Sequence, residues 1–296
     1  MKCGFVSIVG RPNVGKSTLL NNILGLKLAI TSDVSGTTRN VIRGIYNDED
    51  SQIVFVDTPG VHKPKNKLGN IMNRKAYNNT EGVDVILFLV DISKGFGRGD
   101  QFVLDKIKDK GIPVFLLLTK IDLVKNKETL LEEITKLKEL YDFAEIIPIS
   151  SVKNDNIDVL LKCIKDRLEE QDRIFSEEEL TNVSIRFIMA EFVREKILEL
   201  THDEIPHTVT CYVENYEESK DKVHIQVLIV VDRENIKGMI IGKNGSLLKE
   251  VGIRARQDME KFLGKKVFLE TYVKTIKNWR DHEKYILELG LNDENE

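Results

Sequence analysis

The chain has 296 residues, 41% hydrophobic and 31% charged, with a net charge of −4; that length fits two domains of ordinary size. Its longest apolar runs, such as Val85 to Val90 and Val227 to Val231, are too short to span a bilayer, and a strand starting within a few residues of the N-terminus argues against a signal peptide. Three scattered cysteines, Cys3, Cys163 and Cys211, make neither a metal spacing nor a disulfide framework, which fits a reducing cytoplasm.

The first element is an apolar strand, Phe5 to Val9, leading into Gly10-Arg11-Pro12-Asn13-Val14-Gly15-Lys16-Ser17 and then a helix-like run, Thr18 to Leu24. Gly, four residues and Gly-Lys-Ser between a strand and a helix is a phosphate-binding loop. Its glycines let backbone N–H groups approach a phosphate closely, and the helix N-terminus adds unpaired donors and a favourable dipole. Lys16 should reach the β- and γ-phosphates, and the Ser17 hydroxyl should bind Mg²⁺.

A polar loop, Thr31 to Arg39, carries Gly36-Thr37-Thr38-Arg39, and strands follow at Val41 to Tyr46 and Gln52 to Val56. The second strand ends at Asp57-Thr58-Pro59-Gly60. A carboxylate there can hold Mg²⁺ through water, and Gly60 can present its N–H to a γ-phosphate. Residues 61–80 read as a mobile connection ending in a polar helix. Val83 to Val90 is a continuous apolar strand, the pattern of a parallel sheet covered on both faces. Asp100 to Lys110 reads as a helix and Ile112 to Leu118 as another buried strand, ending at Thr119-Lys120-Ile121-Asp122. Asp122 can accept hydrogen bonds from N1–H and the exocyclic amine of guanine, which adenine does not offer, while the Lys120 stem packs over the purine. Thr129 to Tyr141 is an amphipathic helix, Ile146 to Ile149 a short strand followed by Ser150-Ser151-Val152, and Ile157 to Leu168 a further helix. Alternating strands and helices predict a doubly wound, mostly parallel sheet with ligands at the C-terminal strand ends.

Residues 1–170 form this first domain, and 171–182, acidic and without an apolar period, read as a solvated, partly helical linker. The second domain, 183–296, begins with a helix from Ile185 to Leu200. Strands follow at Thr208 to Val213 and Val223 to Val231, with Asn215 to Asp221 as the loop between them. Then come Ile241-Gly242-Lys243-Asn244-Gly245, a helix from Ser246, and a strand from Lys266 to Val273. Gly-x-x-Gly between two helices lets a tight loop approach a sugar-phosphate backbone, the core of a KH RNA-binding module. From Arg233 to Arg280 there are twelve basic and five acidic residues, a basic footprint hidden inside an acidic chain. Within it Lys243, Lys249, Arg254 and Arg256 are the candidate RNA contacts, beside Ile241, Gly242, Asn244 and Gly245.

Five elements, Gly10 to Ser17, Thr37/Thr38, Asp57 to Gly60, Thr119 to Asp122 and Ser150 to Val152, stand in the order of small GTP-binding domains. One such domain followed by a type II KH domain resembles the Era family over essentially the whole chain. The resemblance implies an α/β P-loop GTPase domain with an α+β KH domain, acting as a monomer in assembly of the small ribosomal subunit. It also implies binding near the 3′ end of the small-subunit ribosomal RNA and loose association with the inner membrane. It implies GTP contacts along Gly10 to Thr18, Asp57 to Gly60, Thr119, Lys120, Asp122 and Ser150 to Val152. Mg²⁺ would be held by Ser17 and Thr38 directly and by Asp57 through water, and Thr38 is preferred to Thr37 only on the family pattern. Lys16, Asn13, Thr38 and Gly60 are the catalytic candidates. Many GTPases orient the attacking water with a Gln just after the Asp-x-x-Gly segment; here Val61 stands there and His62 follows. Similar proteins with Asn at the position of Asn13 are K⁺-activated, so Asn13 is the candidate K⁺ ligand and His62 a weaker candidate base. Two alternatives stay open: an RNA-binding protein whose nucleotide site hydrolyses nothing, and a tRNA-related GTPase.

Overall fold

The computed structural model describes residues 1–291 apart from Ser35, His62, Lys63, Lys65, Asp203 and Glu204. Packing divides the chain into two compact units. The first comprises Met1–Ala29, Thr38–Lys63 and Met72–Asn182; the second comprises Ile30–Thr37, Pro64–Ile71 and Val183–Glu296. The division is therefore not a single cut near residue 170 or 182, because two short segments of the N-terminal half pack with the C-terminal unit.

The first unit carries β1 (Lys2–Gly10), α1 (Lys16–Leu24), β2 (Ile42–Asn47) and β3 (Ser51–Asp57). Helix α2 (Lys67–Asn78) crosses the division and leads to β4 (Val85–Asp91), α3 (Arg98–Ile107), β5 (Val114–Thr119) and α4 (Lys127–Lys138). The unit closes with β6 (Glu145–Pro148), α5 (Ile157–Lys165) and β7 (Glu169–Glu170). The strand order is β2-β3-β1-β4-β5-β6. All neighbours are parallel except β2 against β3. The apolar runs of β3, β4 and β5 are buried along their whole length, as strands covered on both faces must be. Their parallel register brings Gly10, Asp57, Asp91 and Thr119 to one edge of the sheet, since Ile8 lies beside Asp57 and Asp91 beside Thr119.

The stretch 171–182 is not a free linker. β7 pairs antiparallel with Lys2 and Cys3 of β1. The Gln52 side chain then grips the chain, accepting from the N–H groups of Ile174 and Phe175 at 2.8 and 2.9 Å and donating to the Phe175 carbonyl at 3.0 Å. Ile45 N–H donates to the Leu180 carbonyl at 3.0 Å, and Thr181 bridges Gly44. Backbone bonds hold this stretch, which is why no apolar period marks it, and among the described residues it contains no helix.

The second unit contains α6 (Ile185–Leu200), α7 (Ile205–Thr208), β8 (Thr210–Glu218), β9 (Lys222–Val231), α8 (Glu234–Ile241), α9 (Ser246–Leu263), β10 (Lys266–Thr275) and α10 (Glu283–Glu288). The sheet order is β10-β9-β8, with β10 parallel and β8 antiparallel to β9. β8 does not end at Val213. It shifts register between Val213 and Asn215 and pairs on to Glu218, leaving only 219–221 as the turn. The core is formed by Val223, Ile225, Val227 and Ile229 of β9 with Val251, Ala255 and Met259 of α9, all fully buried. Trp279 closes it, its indole N–H donating to the Thr208 carbonyl at 2.9 Å. Among the described residues no helix is long and apolar enough to cross a membrane.

Candidate nucleotide and RNA sites

The phosphate loop joins β1 to α1 at the carboxyl edge of the first sheet. Asn13 holds φ 65° and Gly15 φ 100°, left-handed conformations that Asn and Gly adopt at least cost. With that backbone the loop curls around Lys16. The ammonium is buried and donates to the carbonyls of Gly10 at 3.3 Å and Arg11 at 2.9 Å. Burial pulls its pKa down to about 8, against the opposing charge of Asp57.

Three oxygens converge beside it. Ser17 Oγ donates to Asp57 Oδ2 at 2.7 Å and shares a hydrogen bond with Thr38 Oγ1 at 2.9 Å. Asp57 is fully buried; its Oδ1 has no hydrogen-bond partner, and burial pushes its pKa up to about 6 although Lys16 and Ser17 oppose the shift. An orphaned buried carboxylate oxygen next to two hydroxyls is a hard-oxygen donor set, the kind Mg²⁺ takes with phosphates. The Thr37 hydroxyl is turned away, donating to the Val34 carbonyl at 2.6 Å. Thr58 is likewise structural, donating to the Ile8 carbonyl at 2.9 Å. Gly60 lies against the loop: a Cβ there would come within 2.8 Å of the Pro12 nitrogen, so only glycine fits. Val61 is buried in the apolar core with Val9 and Phe88, and His62 lies outside the described residues. Arg11 points outward and pairs with the fully buried Asp100 at 2.7 Å. The reading of the sequence missed Asp100, whose only signal is a carboxylate in the first turn of α3.

At the other end, Thr119 Oγ1 donates to the Val14 carbonyl at 2.7 Å, tying β5 to the loop. Lys120, at φ 61°, donates to the Asn13 carbonyl at 2.8 Å and pairs with Asp91 at 2.8 Å. Asp91 is a second residue the sequence reading passed over, although a carboxylate ending a buried strand is a usable signal. Ser150, fully buried, donates to Asp122 Oδ1 at 2.6 Å. That bond aims an otherwise exposed carboxylate, while Val152 stays 75% exposed.

In the second unit, Gly242 (φ 73°), Asn244 (φ 53°) and Gly245 (φ 76°) form the turn between α8 and α9. A Cβ on Gly242 would sit 2.9 Å from Leu247 atoms, whereas one on Gly245 would meet nothing within 4 Å. Lys243 and Asn244 are exposed and Ile241 is half-buried at the end of α8. A groove of about 460 Å³ opens beside this turn, lined by Gly245, Leu248, Lys249, Ile253, Arg256 and Phe268 among others. Lys249 and Arg256 therefore line it. Arg254 does not: it pairs with Glu250 at 2.7 Å on its own helix. From the sequence, Leu248 reads only as part of the apolar stripe of the helix, and Ile253 and Phe268 carry no assignment. Phe268 is 63% exposed, and an aromatic on a polar strand face was its available signal.

A model described as a 50S ribosome-binding GTPase matches residues 5–120, and a KH domain model matches residues 204–280. Across the full length, a point variant of Era from Aquifex aeolicus, solved with GDP and AlF4−, is 40% identical. Its TM-score is 0.96, and the match covers 99% of this chain and 100% of that one. The chain belongs to the Era family. A second Era structure, with MgGDPNP and nucleotides 1506–1542 of 16S ribosomal RNA, matches at the same 40% identity and TM-score 0.96 over 99% of each chain. An Era-family protein is a GTPase with a KH domain, and the two sites described above fall one in each of those parts.

Proposed function

We propose that this chain is a GTP-hydrolysing switch that binds small-subunit ribosomal RNA near its 3′ end and assists assembly of the small subunit. The observation that carries the reading is one chain bearing both the Ser17–Thr38–Asp57 cluster and the Gly242–Gly245 groove. The broader GTPase model is described as 50S ribosome-binding but matches only residues 5–120; the full-length Era relative that holds RNA holds a 16S fragment, so the small subunit is the better reading. Any membrane association is peripheral.

Ser17, Thr38 and Asp57 would hold Mg²⁺, with Asp57 acting through water. Held there, Mg²⁺ would supply charge neutralisation for phosphoryl transfer. Lys16 exchanges its two carbonyl contacts for phosphate oxygens. The loop N–H groups cradle the β-phosphate, and the Gly60 N–H faces the γ-phosphate from against Pro12. Asp122, aimed by Ser150, selects guanine, and Lys120 covers the purine. Buried Val61 cannot orient a water, so we assign that charge compensation to K⁺ bound at Asn13. Turnover assayed in K⁺ should exceed turnover in Na⁺; equal rates would remove K⁺ from the reading. Ordering of residues 31–40 and 60–75 by the γ-phosphate couples the nucleotide to the KH domain.

The deciding experiment is crosslinking to RNA in cell lysate. Small-subunit RNA near its 3′ end should dominate; recovery mainly from tRNA or mRNA would overturn the proposal.

A further inference from the structure

The order Gly10-Arg11-Pro12-Asn13 leaves the first half of the phosphate loop little freedom. Proline locks its own φ, and the residue before a proline is confined to extended backbone. Asn13 then holds φ 65°. A loop with so few soft dihedrals is set by whatever anchors its first side chain, and that side chain is Arg11.

Arg11 turns away from the phosphate side of the loop and meets the start of α3. Its Nε donates to Asp100 Oδ1 at 2.7 Å. The other oxygen, Asp100 Oδ2, accepts the Gly97 N–H at 2.9 Å, and the Asp100 N–H donates to the Gly97 carbonyl at 3.0 Å. The carboxylate is fully buried in the first turn of the helix, where the dipole favours an anion. Gly99 makes room for the arginine stem, since a Cβ there would collide with Arg11 Cδ. Capping the helix needs only one carboxylate oxygen. The second is committed to a guanidinium that could otherwise stay in water.

The backbone that Arg11 carries is in use on its other side. The Arg11 carbonyl accepts from Lys16 Nζ at 2.9 Å. Pro12 is the wall that Gly60 faces: a Cβ on Gly60 would lie 2.8 Å from the Pro12 nitrogen and 2.9 Å from its Cα and Cγ. The Gly10 carbonyl accepts the Val61 N–H at 3.3 Å. Gly10 to Pro12 therefore seat the chain at both Gly60 and Val61, and all of these residues lie within the first packing unit.

We propose that Asp100 is a positioning residue for the nucleotide site: by pinning Arg11 it sets Pro12 as the seat of Gly60, and so places the Gly60 N–H for the γ-phosphate. The proposal rests on the reading that the Gly60 N–H serves that phosphate. A helix cap alone would contribute stability and leave nucleotides undistinguished. A seat for Gly60 acts on the nucleotide that carries a γ-phosphate.

The test uses the full chain, with equilibrium binding of fluorescent GDPNP and GDP at saturating Mg²⁺ and thermal unfolding alongside. Asp100→Asn keeps an oxygen for the Gly97 N–H but turns an amide, which cannot accept, toward Arg11. Arg11→Met keeps a stem over Gly99 and removes the guanidinium. Each should weaken GDPNP binding about tenfold, the worth of one charge-assisted hydrogen bond, while GDP affinity stays within about twofold. The double variant should lose no more GDPNP affinity than either single one, because both changes remove the same contact. It leaves neither charge without its partner, so it carries the comparison if a single variant fails to fold. Gly60→Ala checks the reading beneath and should shift the ratio of GDPNP to GDP affinity in the same direction. If Gly60→Ala shifts that ratio while the folded Asp100 and Arg11 variants lose both nucleotides equally, or lose neither, the Asp100 proposal alone is overturned. Additive losses in the double variant overturn it as well. If Gly60→Ala leaves the ratio at its wild-type value, the γ-phosphate reading of Gly60 falls, and this proposal with it.

Discussion

Asp57 and Lys16 are opposite charges whose pKa values are both moved against ionisation, to about 6 and about 8, by burial. The sign follows directly. The Asp57 pKa lies above its unfolded value of 3.8, so raising pH through 4 to 6 costs folding stability. The Lys16 pKa lies below 10.5, so stability recovers only as pH rises through 8 to 10.5. Near pH 7 both groups are charged and both disfavour the nucleotide-free fold, so Mg²⁺ and nucleotide bind at a site already costly to keep empty. Asp57→Asn should therefore stabilise the nucleotide-free protein by about 1–2 kcal/mol at pH 7 while removing Mg²⁺-dependent nucleotide binding. Denaturant melts at pH 5 and pH 7 check the sign: the gain should shrink at the lower pH. At the base end, Asp122→Asn should cost GTP affinity roughly tenfold or more, because an amide no longer accepts two hydrogen bonds from guanine. Competition between GTP and ATP measures it.

Among the elements, the turn into α9 and the β10 strand set the RNA groove. Gly245 has a left-handed φ of 76° and open space where a Cβ would be, so a ligand backbone can approach it. Gly245→Asp places a carboxylate there without a clash, and its αL strain should cost only about 1–2 kcal/mol of stability. RNA affinity should fall at least tenfold while GTP binding is unchanged. Gly242→Asp is a blunter tool, since its side chain would collide with Leu247 as well. Phe268→Ala should cost about 1–3 kcal/mol of RNA affinity through lost base stacking. Arg254→Ala should cost much less, because Arg254 is already paired with Glu250 and stands outside the groove. Electrophoretic mobility shifts with one RNA fragment rank Gly245→Asp, Phe268→Ala and Arg254→Ala.

For the molecule as a whole, a net charge of −4 coexists with twelve basic against five acidic residues between Arg233 and Arg280. RNA affinity should fall with salt at a log–log slope of about −0.7 per phosphate contacted, roughly −3 for a four-nucleotide clamp. RNA affinity should also differ between the GDPNP and GDP states by about fivefold or more; equal affinities would sink the coupling.

The strand-to-helix periods and the strand-end motifs were legible because they are local. A phosphate loop needs its glycines, lysine and serine in one consecutive run, and parallel strands buried on both faces must be continuously apolar. What needed tertiary structure was every pairing between distant positions. Arg254 and Arg256 are indistinguishable by type, and only the turn of α9 decides which one faces the groove. Residues 171–182 carry no apolar period because backbone hydrogen bonds hold them to Met1, β2 and Gln52. The four charges of α6 are buried because they pair with one another, with Glu199 and Asp258, and with the Thr31 and Thr37 backbone. Sequence alone determined which chemistry this chain carries, because side-chain type and spacing suffice for that. Which threonine meets Ser17 was decided only by the fold, because the direction of a hydroxyl depends on backbone conformation that residue type and spacing do not fix.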